Sequence, residues 1–456
     1  MICKLVGNRI FKGVVALITP LSLFSQNFLS DERPNVILIM TDQQTADAMS
    51  NRGNPYVSTP AMDKLAEDGI TFNNSYCSYP LSGPSRASIM TGKMPSQLKV
   101  LDNDYPLSEQ DRLANIGFTM KNAGYTCLYA GKWHVPTINI PDKDFGFEKV
   151  CDMYDPGMAQ SIDERLSHKK DTPLFLVASY LNPHEICEYA RNQTLHYGEI
   201  SVPDSVLLPE LPSNFYSTEG LSELLIHHKR MSPKLYPTEN YSLKDWQKYL
   251  YSYYRLVERV DAHIGNLIDV LKKHDLYDKS IIIFTSDHGD GVAAHRWNQK
   301  RALFEETIKV PLIVKPQKSK KKGYGYELSG LVNIGIDLYP TICDYGEAAI
   351  PEELNGISLK KIIEKTSEPH ESVFIETHLD GINGRAWCVI KGNYKYVFYR
   401  FFKNREQLFN LSKDKGETNN LIGKTSYSEV YDMMKSELLN HALKVNDTML
   451  IKDLSF

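Results

Sequence analysis

Short apolar runs without polar alternation recur along the chain, separated by stretches in which apolar residues return every three or four positions. Asn35–Thr41, Thr126–Ala130, Leu174–Tyr180, Ser280–Thr285 and Val310–Val314 are of the first kind. They have the pattern of strands buried on both faces. Thr59-Pro60 opens a short helix over Ala61–Glu67 that Gly69 closes. Between Ser242 and His274, Tyr253, Leu256, Val257, Val260, Ile264, Leu267, Ile268 and Leu271 fall at helical spacing. Helices alternating with doubly buried strands predict an α/β fold, a large and mostly parallel sheet flanked by helices. From about residue 361 the pattern changes. Arg385–Tyr399 alternates around Lys391-Gly392-Asn393, a hairpin signature, and Glu429–Leu443 is an amphipathic helix. A main domain over 31–360 and a small C-terminal α+β subdomain over 361–456 are therefore expected. No internal repeat is visible.

The N-terminus carries Lys4, Arg9 and Lys12 ahead of an apolar run, Val14–Phe24, ending in Ser25-Gln26. That order is a secretory signal pattern, so residues 1–25 read as a signal peptide and the protein as periplasmic or secreted. A disordered tail or a buried first strand is the competing reading. The run is too short to span a membrane, and no Cys follows it to carry a lipid. The formal net charge is −4, and cleavage would remove three cations and no acid. Such a chain is no nucleic-acid or general polyanion binder; an anionic ligand needs a local cationic pocket. The seven cysteines show neither Cys-x-x-Cys nor zinc spacing and read as mostly buried thiols, with a disulfide left open. The basic stretch Lys315–Lys322 reads as a solvated surface turn.

Candidate chemistry gathers where strands end. Asp42, Lys132, His184 and Asp287 each lie just past one, and ligands of parallel sheets collect at the carboxyl ends. Ser82-Gly83-Pro84-Ser85-Arg86 places a hydroxyl at the mouth of a helix, a proline in its first turn and an arginine one turn on. Asp42, Asp287 and His288 supply hard oxygen donors and an imidazole, a set suited to Ca²⁺ or Mg²⁺. Taken singly, a strand-end aspartate is more often a turn residue and Ser-x-Pro-x-Arg a plain helix start.

Ser82–Arg86, running on through Ala87-Ser88-Ile89-Met90-Thr91-Gly92, resembles the signature of the type I sulfatases, a branch of the alkaline-phosphatase superfamily. Asp42-Gln43, Gly131-Lys132-Trp133-His134, Pro183-His184 and the block from Asp287-His288-Gly289 to Lys300 resemble further blocks of that family, in the same order. The resemblance implies an alkaline-phosphatase-like fold with a C-terminal subdomain. It implies that Ser82 is oxidised by a serine-oxidising maturase to Cα-formylglycine, whose hydrate is the nucleophile. Cys77 is a decoy, because its proline stands one place too far and Leu81 replaces the arginine. Arg86, Lys132, His134, His184 and Lys300 would be catalytic, with His184 as acid toward the leaving group and His134 as base. Asp42, Gln43, Ser82, Asp287 and His288 would hold Ca²⁺, with Mg²⁺ as the alternative; Gln43 departs from the usual second aspartate. Asp102 and Asn103 are candidates for substrate contact, and His295 reads as structural. The implied activity is that of an exported enzyme hydrolysing sulfate esters of carbohydrates, glycosaminoglycan or other host or environmental glycan. A choline-sulfatase-like enzyme, a phosphonate or phosphodiester hydrolase, and an inactive glycan-binding relative stay open as alternatives.

Overall fold

The computed structural model describes residues 33–136, 145–169, 171–218, 220–317, 324–379 and 384–455. The expected signal peptide lies outside them, as does most of the basic stretch. Eight strands form the main sheet: β1 (Asn35–Asp42), β2 (Ile70–Tyr76), β3 (Thr126–Gly131), β4 (Glu148–Cys151), β5 (Leu174–Pro183), β6 (Ser280–Ser286), β7 (Leu312–Lys315) and β8 (Tyr326–Asn333). Their order is β4-β3-β5-β1-β6-β7-β2-β8. All neighbours pair in parallel except that β7 runs against both β6 and β2.

Unbroken apolar runs form these strands because both faces are covered. In β1, Val36, Leu38 and Met40 join one core while Ile37 and Ile39 join the other. Helices α1 (Pro60–Glu67), α3 (Asp155–Leu166) and α4 (Leu243–Lys273) close one face, where Met62, Met158, Ile162, Ile264 and Leu267 meet the strands. Helices α2 (Ser82–Thr91) and α5 (Ile334–Gly346) close the other through Ile89, Met90, Leu338 and Ile342. α4 starts at Ser242, whose hydroxyl accepts from Asp245 N while Asp245 accepts from Ser242 N.

β2 and β8 are not legible in the pattern. β2 carries Asn73 and Asn74 at a register shift, and the first half of β8 lies open to solvent. Lys315, expected in a surface turn, instead ends β7 buried, its ammonium donating to Tyr277 O and Ser280 O. Among the described residues the six cysteines are unpaired thiols.

A second, antiparallel sheet has the order β12-β11-β10-β9, with β9 (Ser372–Leu379), β10 (Gly384–Lys391), β11 (Tyr394–Tyr399) and β12 (Glu406–Asn410). The expected hairpin is β10–β11. One face of this sheet, through Ile375, Cys388 and Val397, continues the main core. The other packs on α6 (Ser428–Val445) through Met434 and Leu438.

Lys395, fully buried on β11, bonds Glu305 at 3.2 Å and Glu417 at 2.7 Å. Burial alone would lower its pKa, but the two carboxylates raise it, so it stays charged. Lys395→Ala leaves two carboxylates near each other without their cation. We expect about 3–5 kcal/mol lower stability in urea unfolding; a loss below about 1 kcal/mol would contradict this account of the contact.

Candidate active site

Helix α2 is buried along its whole length, and Ser82 is its first residue. Pro84 sits in the first turn, where its missing N–H costs nothing. The Gly83 N–H donates to Asn103 Oδ1 at 3.0 Å, and a Cβ on Gly83 would stand 2.7 Å from that oxygen. Glycine is therefore required for the approach that caps the helix. α2 delivers Ser82 Oγ to 3.0 Å from His288 Nε2 and 3.3 Å from Asp42 Oδ2, at the ends of β6 and β1.

Arg86, one turn on, spends its guanidinium on four acceptors. Nε donates to Asp287 Oδ2 and Nη2 to Asp42 Oδ2, both at 2.8 Å; Nη1 donates to Lys132 O at 2.9 Å and Ser179 Oγ at 2.7 Å. Lys132 Nζ reaches Asp42 Oδ2 at 2.7 Å. Burial pushes the Asp42 carboxyl up, but Lys132, Arg86 and Lys300 outweigh it and hold Asp42 well below the usual range. Lys132 is lowered by its own burial, against which Asp42 acts.

Asp42, Asp287 and His288 bring one ligand atom each within 4.8 Å of one another. They fit a hard cation on two counts. Asp42 Oδ1 is buried without a hydrogen-bond partner. His288 Nδ1 donates to Gly289 O at 2.8 Å, which assigns the ring proton there and leaves the Nε2 lone pair toward Ser82. Gln43 stands beside them with φ of 69°. Its backbone N–H donates to Asp287 Oδ1 at 3.1 Å, and its Nε2 donates to Asp290 Oδ2 at 2.7 Å.

His184 follows the end of β5, its Nδ1 3.7 Å from Glu188 Oε2. Burial, then the charges of Lys132 and Lys300, push its pKa down to about 3. His134, with φ of 51°, stands at the solvent-accessible mouth. Desolvation there, then Lys132 and Arg86, hold it below the usual imidazole range. Lys300 is half-buried and acts electrostatically on Asp42, Lys132, His184 and His288. A cavity of about 460 Å³ opens beside these groups, lined by Lys132, His134 and His184 and walled by Trp133, Phe145 and Phe147.

Asp102 and Asn103 lie next to α2, where each makes contacts within the protein. Asp102 pairs with Arg301 through both oxygens at 3.0 Å, and Asn103 caps Gly83. His295 is packed away, with Nδ1 against Ser217 O and its ring on Phe304. Sequence reading missed Asp290, Ser179 and Arg301. Asp290 was within reach, as the acid two places after His288; nothing marked the other two.

The family model for sulfatases matches residues 34–348, and the model for the N-sulphoglucosamine sulphohydrolase C-terminal region matches 293–444. The Δ4,5-hexuronate-2-O-sulfatase of Bacteroides thetaiotaomicron is 29% identical over 430 residues, covering 88% of this chain and 87% of its own. The N-acetylglucosamine-6-O-sulfatase of the same species is 26% identical, covering 87% and 84%. The solved structure of a 2-O GAG sulfatase superposes with a TM-score of 0.80 at 25% identity, over 91% of this chain and 93% of that one.

The depressed His184 pKa has a direct consequence. Its ring should remain neutral in the free protein as pH falls from about 8 to about 5, a window in which an ordinary histidine takes up its proton. Because the folded value lies below the unfolded one, the unfolded chain binds more protons in that window. His184 therefore makes stability fall as pH drops below about 6.5. Imidazole ¹⁵N shifts report the ring directly; a midpoint near 6.5 would refute the electrostatic description of the pocket.

Proposed function

The chain belongs to the sulfatase family and is a sulfuric ester hydrolase, and on that premise we propose that it removes sulfate from sulfated saccharides outside the cytoplasm. The reading rests on one observation above all. Ser82 Oγ stands at a helix N-terminus between His288 and Asp42, with Arg86 and Lys132 bound to the same Asp42 oxygen. In this reading Ser82 is matured to formylglycine by a serine-oxidising enzyme, and Ca²⁺, with Mg²⁺ as the alternative, is held by Asp42, Gln43, Asp287 and His288. When present, the hydrated aldehyde supplies the attacking hydroxyl and the cation draws charge from the sulfate oxygens.

The rest falls to the chain's own side chains. Lys132, itself buried, and the half-buried Lys300 stabilise the non-bridging sulfate oxygens. Arg86 fixes both aspartates, so the oxygens facing the nucleophile do not reorganise during reaction. With Nδ1 turned to Glu188, His184 offers Nε2 to the departing sugar oxygen. Bound sulfate brings negative charge that offsets Lys132 and Lys300, so His184 takes up a proton with substrate and can then donate it. His134, neutral at the mouth, accepts the proton released at position 82. The aromatic wall of Trp133, Phe145 and Phe147 flanks the place where a sugar would sit. The relatives' hexuronate and N-acetylglucosamine substrates support a glycosaminoglycan-type saccharide, and the basic-then-apolar N-terminus supports export.

Ser82→Ala should reduce sulfate release to below about one per cent while leaving the fold intact, because no oxygen remains to become the nucleophile. The intact mass of the peptide holding position 82 should be lighter by two hydrogens in active preparations. Wild-type-like turnover on sulfated saccharides with an unmodified Ser82 would overturn the formylglycine assignment. Preferential turnover of phosphonate or phosphodiester substrates would overturn the saccharide assignment.

Chelation should remove activity and Ca²⁺ or Mg²⁺ should restore it, with Asp287→Ala more damaging than Gln43→Ala. Restoration by zinc alone would overturn the hard-cation assignment.

A further inference from the structure

Asp290 is a fully buried carboxylate to which nothing above gives a role. Its oxygens accept from Gln43 Nε2 at 2.7 Å, Tyr249 Oη at 2.9 and 3.0 Å, Val292 N at 2.8 Å and Gln299 N at 3.1 Å. All four donor groups are neutral. Among the described residues no lysine or arginine pairs with it. A buried carboxylate without a counter-charge is costly, so its presence calls for positive charge close by.

Gln43 links Asp290 to the cation cluster. Its backbone N–H binds Asp287, and its Nε2 is spent on Asp290, which orients the amide and leaves Oε1 as its acceptor. The neighbour of Oε1 is Cys187 Sγ at 3.4 Å, but that thiol has a nearer acceptor in Gln299 Oε1 at 2.9 Å. The thiol proton therefore goes to Gln299, and Gln43 Oε1 keeps its lone pairs. The charges agree. Asp42 and Asp287 are paired with Arg86 and Lys132, and Lys300 acts on Asp42 as well, so cations already crowd these two carboxylates. A divalent ion entering such surroundings gains from a further carboxylate close by.

We propose that Asp290 is a positioning residue for the cation site, holding Gln43 with its carbonyl oxygen available to the ion and supplying from behind the charge that an amide at position 43 lacks. The inference rests on the divalent-cation reading of Asp42, Gln43, Asp287 and His288. Relative to a site with two adjacent aspartates, one negative charge has moved outward by a single hydrogen bond.

The test is calcium binding to the full-length, chelator-stripped protein by titration calorimetry, a readout independent of turnover. Asp290→Asn should weaken Ca²⁺ binding about ten- to a hundredfold, the range for partners that orient metal ligands. Adding Gln43→Asp to Asp290→Asn should restore it, because the charge is put back at the ligand position. Gln43→Asp alone places two carboxylates against each other, so the stripped protein should melt at lower temperature and calcium should reverse the loss. Tyr249→Phe, which keeps the charge and removes one donor, should change affinity far less than Asp290→Asn.

Unchanged Ca²⁺ affinity in Asp290→Asn would overturn the inference, as would a double variant no tighter than the single one. If Asp290→Asn does not fold when stripped, the double variant decides: near-wild-type affinity supports the role, and tenfold weaker binding overturns it. A wild type that binds no divalent cation would overturn the cation reading and this inference together. Wild-type binding that survives Asp290→Asn overturns this inference alone.

Discussion

The site is organised around a guanidinium that no water reaches. Arg86 is fully buried, and so are both carboxylates it joins, Asp42 at the end of β1 and Asp287 at the end of β6. Buried charges survive only when paired and hydrogen-bonded in good geometry. Here the fork is filled by two carboxylates, a carbonyl and a hydroxyl. That requirement couples distant parts of the chain. Neighbouring strands must end level, and α2 must lie at one depth against them, or a charge is left alone in the core. Ser82, on the same helix, inherits its position from this constraint. Its hydroxyl is placed by an ion-pair network one turn away more than by contacts of its own.

The same crowding of charge sets the protonation of its surroundings. Asp42 is kept ionised because cations outweigh its burial, whereas His184 is kept neutral because burial and cations act in the same direction. Anion binding therefore changes His184 in a definite sense, toward the protonated form. Glu188, with Oε2 3.7 Å from His184 Nδ1, lies beside it to share that proton's charge once the ring is protonated. A histidine that gains its proton when an anion arrives needs no permanently raised pKa to hold one then.

Much of this was legible in the sequence because it obeys strong local rules. β1, β3, β5 and β6 are doubly buried, so their apolar runs are uninterrupted, and each delivers a chemical residue at its carboxyl end. β2 and β8 escaped because their exposed portions admit polar residues and a register shift breaks their alternation. The reversal of β7 has no signature in its own residues, since direction in a sheet is decided by the connections around it. Asp42, Ser82, Arg86, Lys132, Asp287 and His288 come together as their motifs suggest. Asp102 and Asn103 show where spacing runs out: proximity to α2 was readable, but their engagement with Arg301 and Gly83 depends on partners far away in sequence. Asp290 was passed over because only the fold reveals that it holds Gln43.

The small antiparallel sheet also has a part in the site, through the loop that carries Lys300. Gln299 and Arg301 flank that lysine with φ of 70° and 73°, left-handed conformations that cost on the order of 1 kcal/mol or more for residues with a Cβ. Such a loop holds its shape only if its surroundings impose it. On one side Arg301 is clamped by Asp102 and by His378 O, while Thr377 Oγ1 donates to Arg301 O. On the other, Gln299 N is held by Asp290. His378 and Thr377 belong to β9, and a few residues beyond Lys300 the buried Lys395 of β11 grips Glu305. The second sheet thus fixes the backbone that carries Lys300, while leaving its ammonium free of hydrogen bonds among the described residues. A lysine left in that state, on a rigid loop facing Asp42 and His184, is prepared for an anion before any anion arrives.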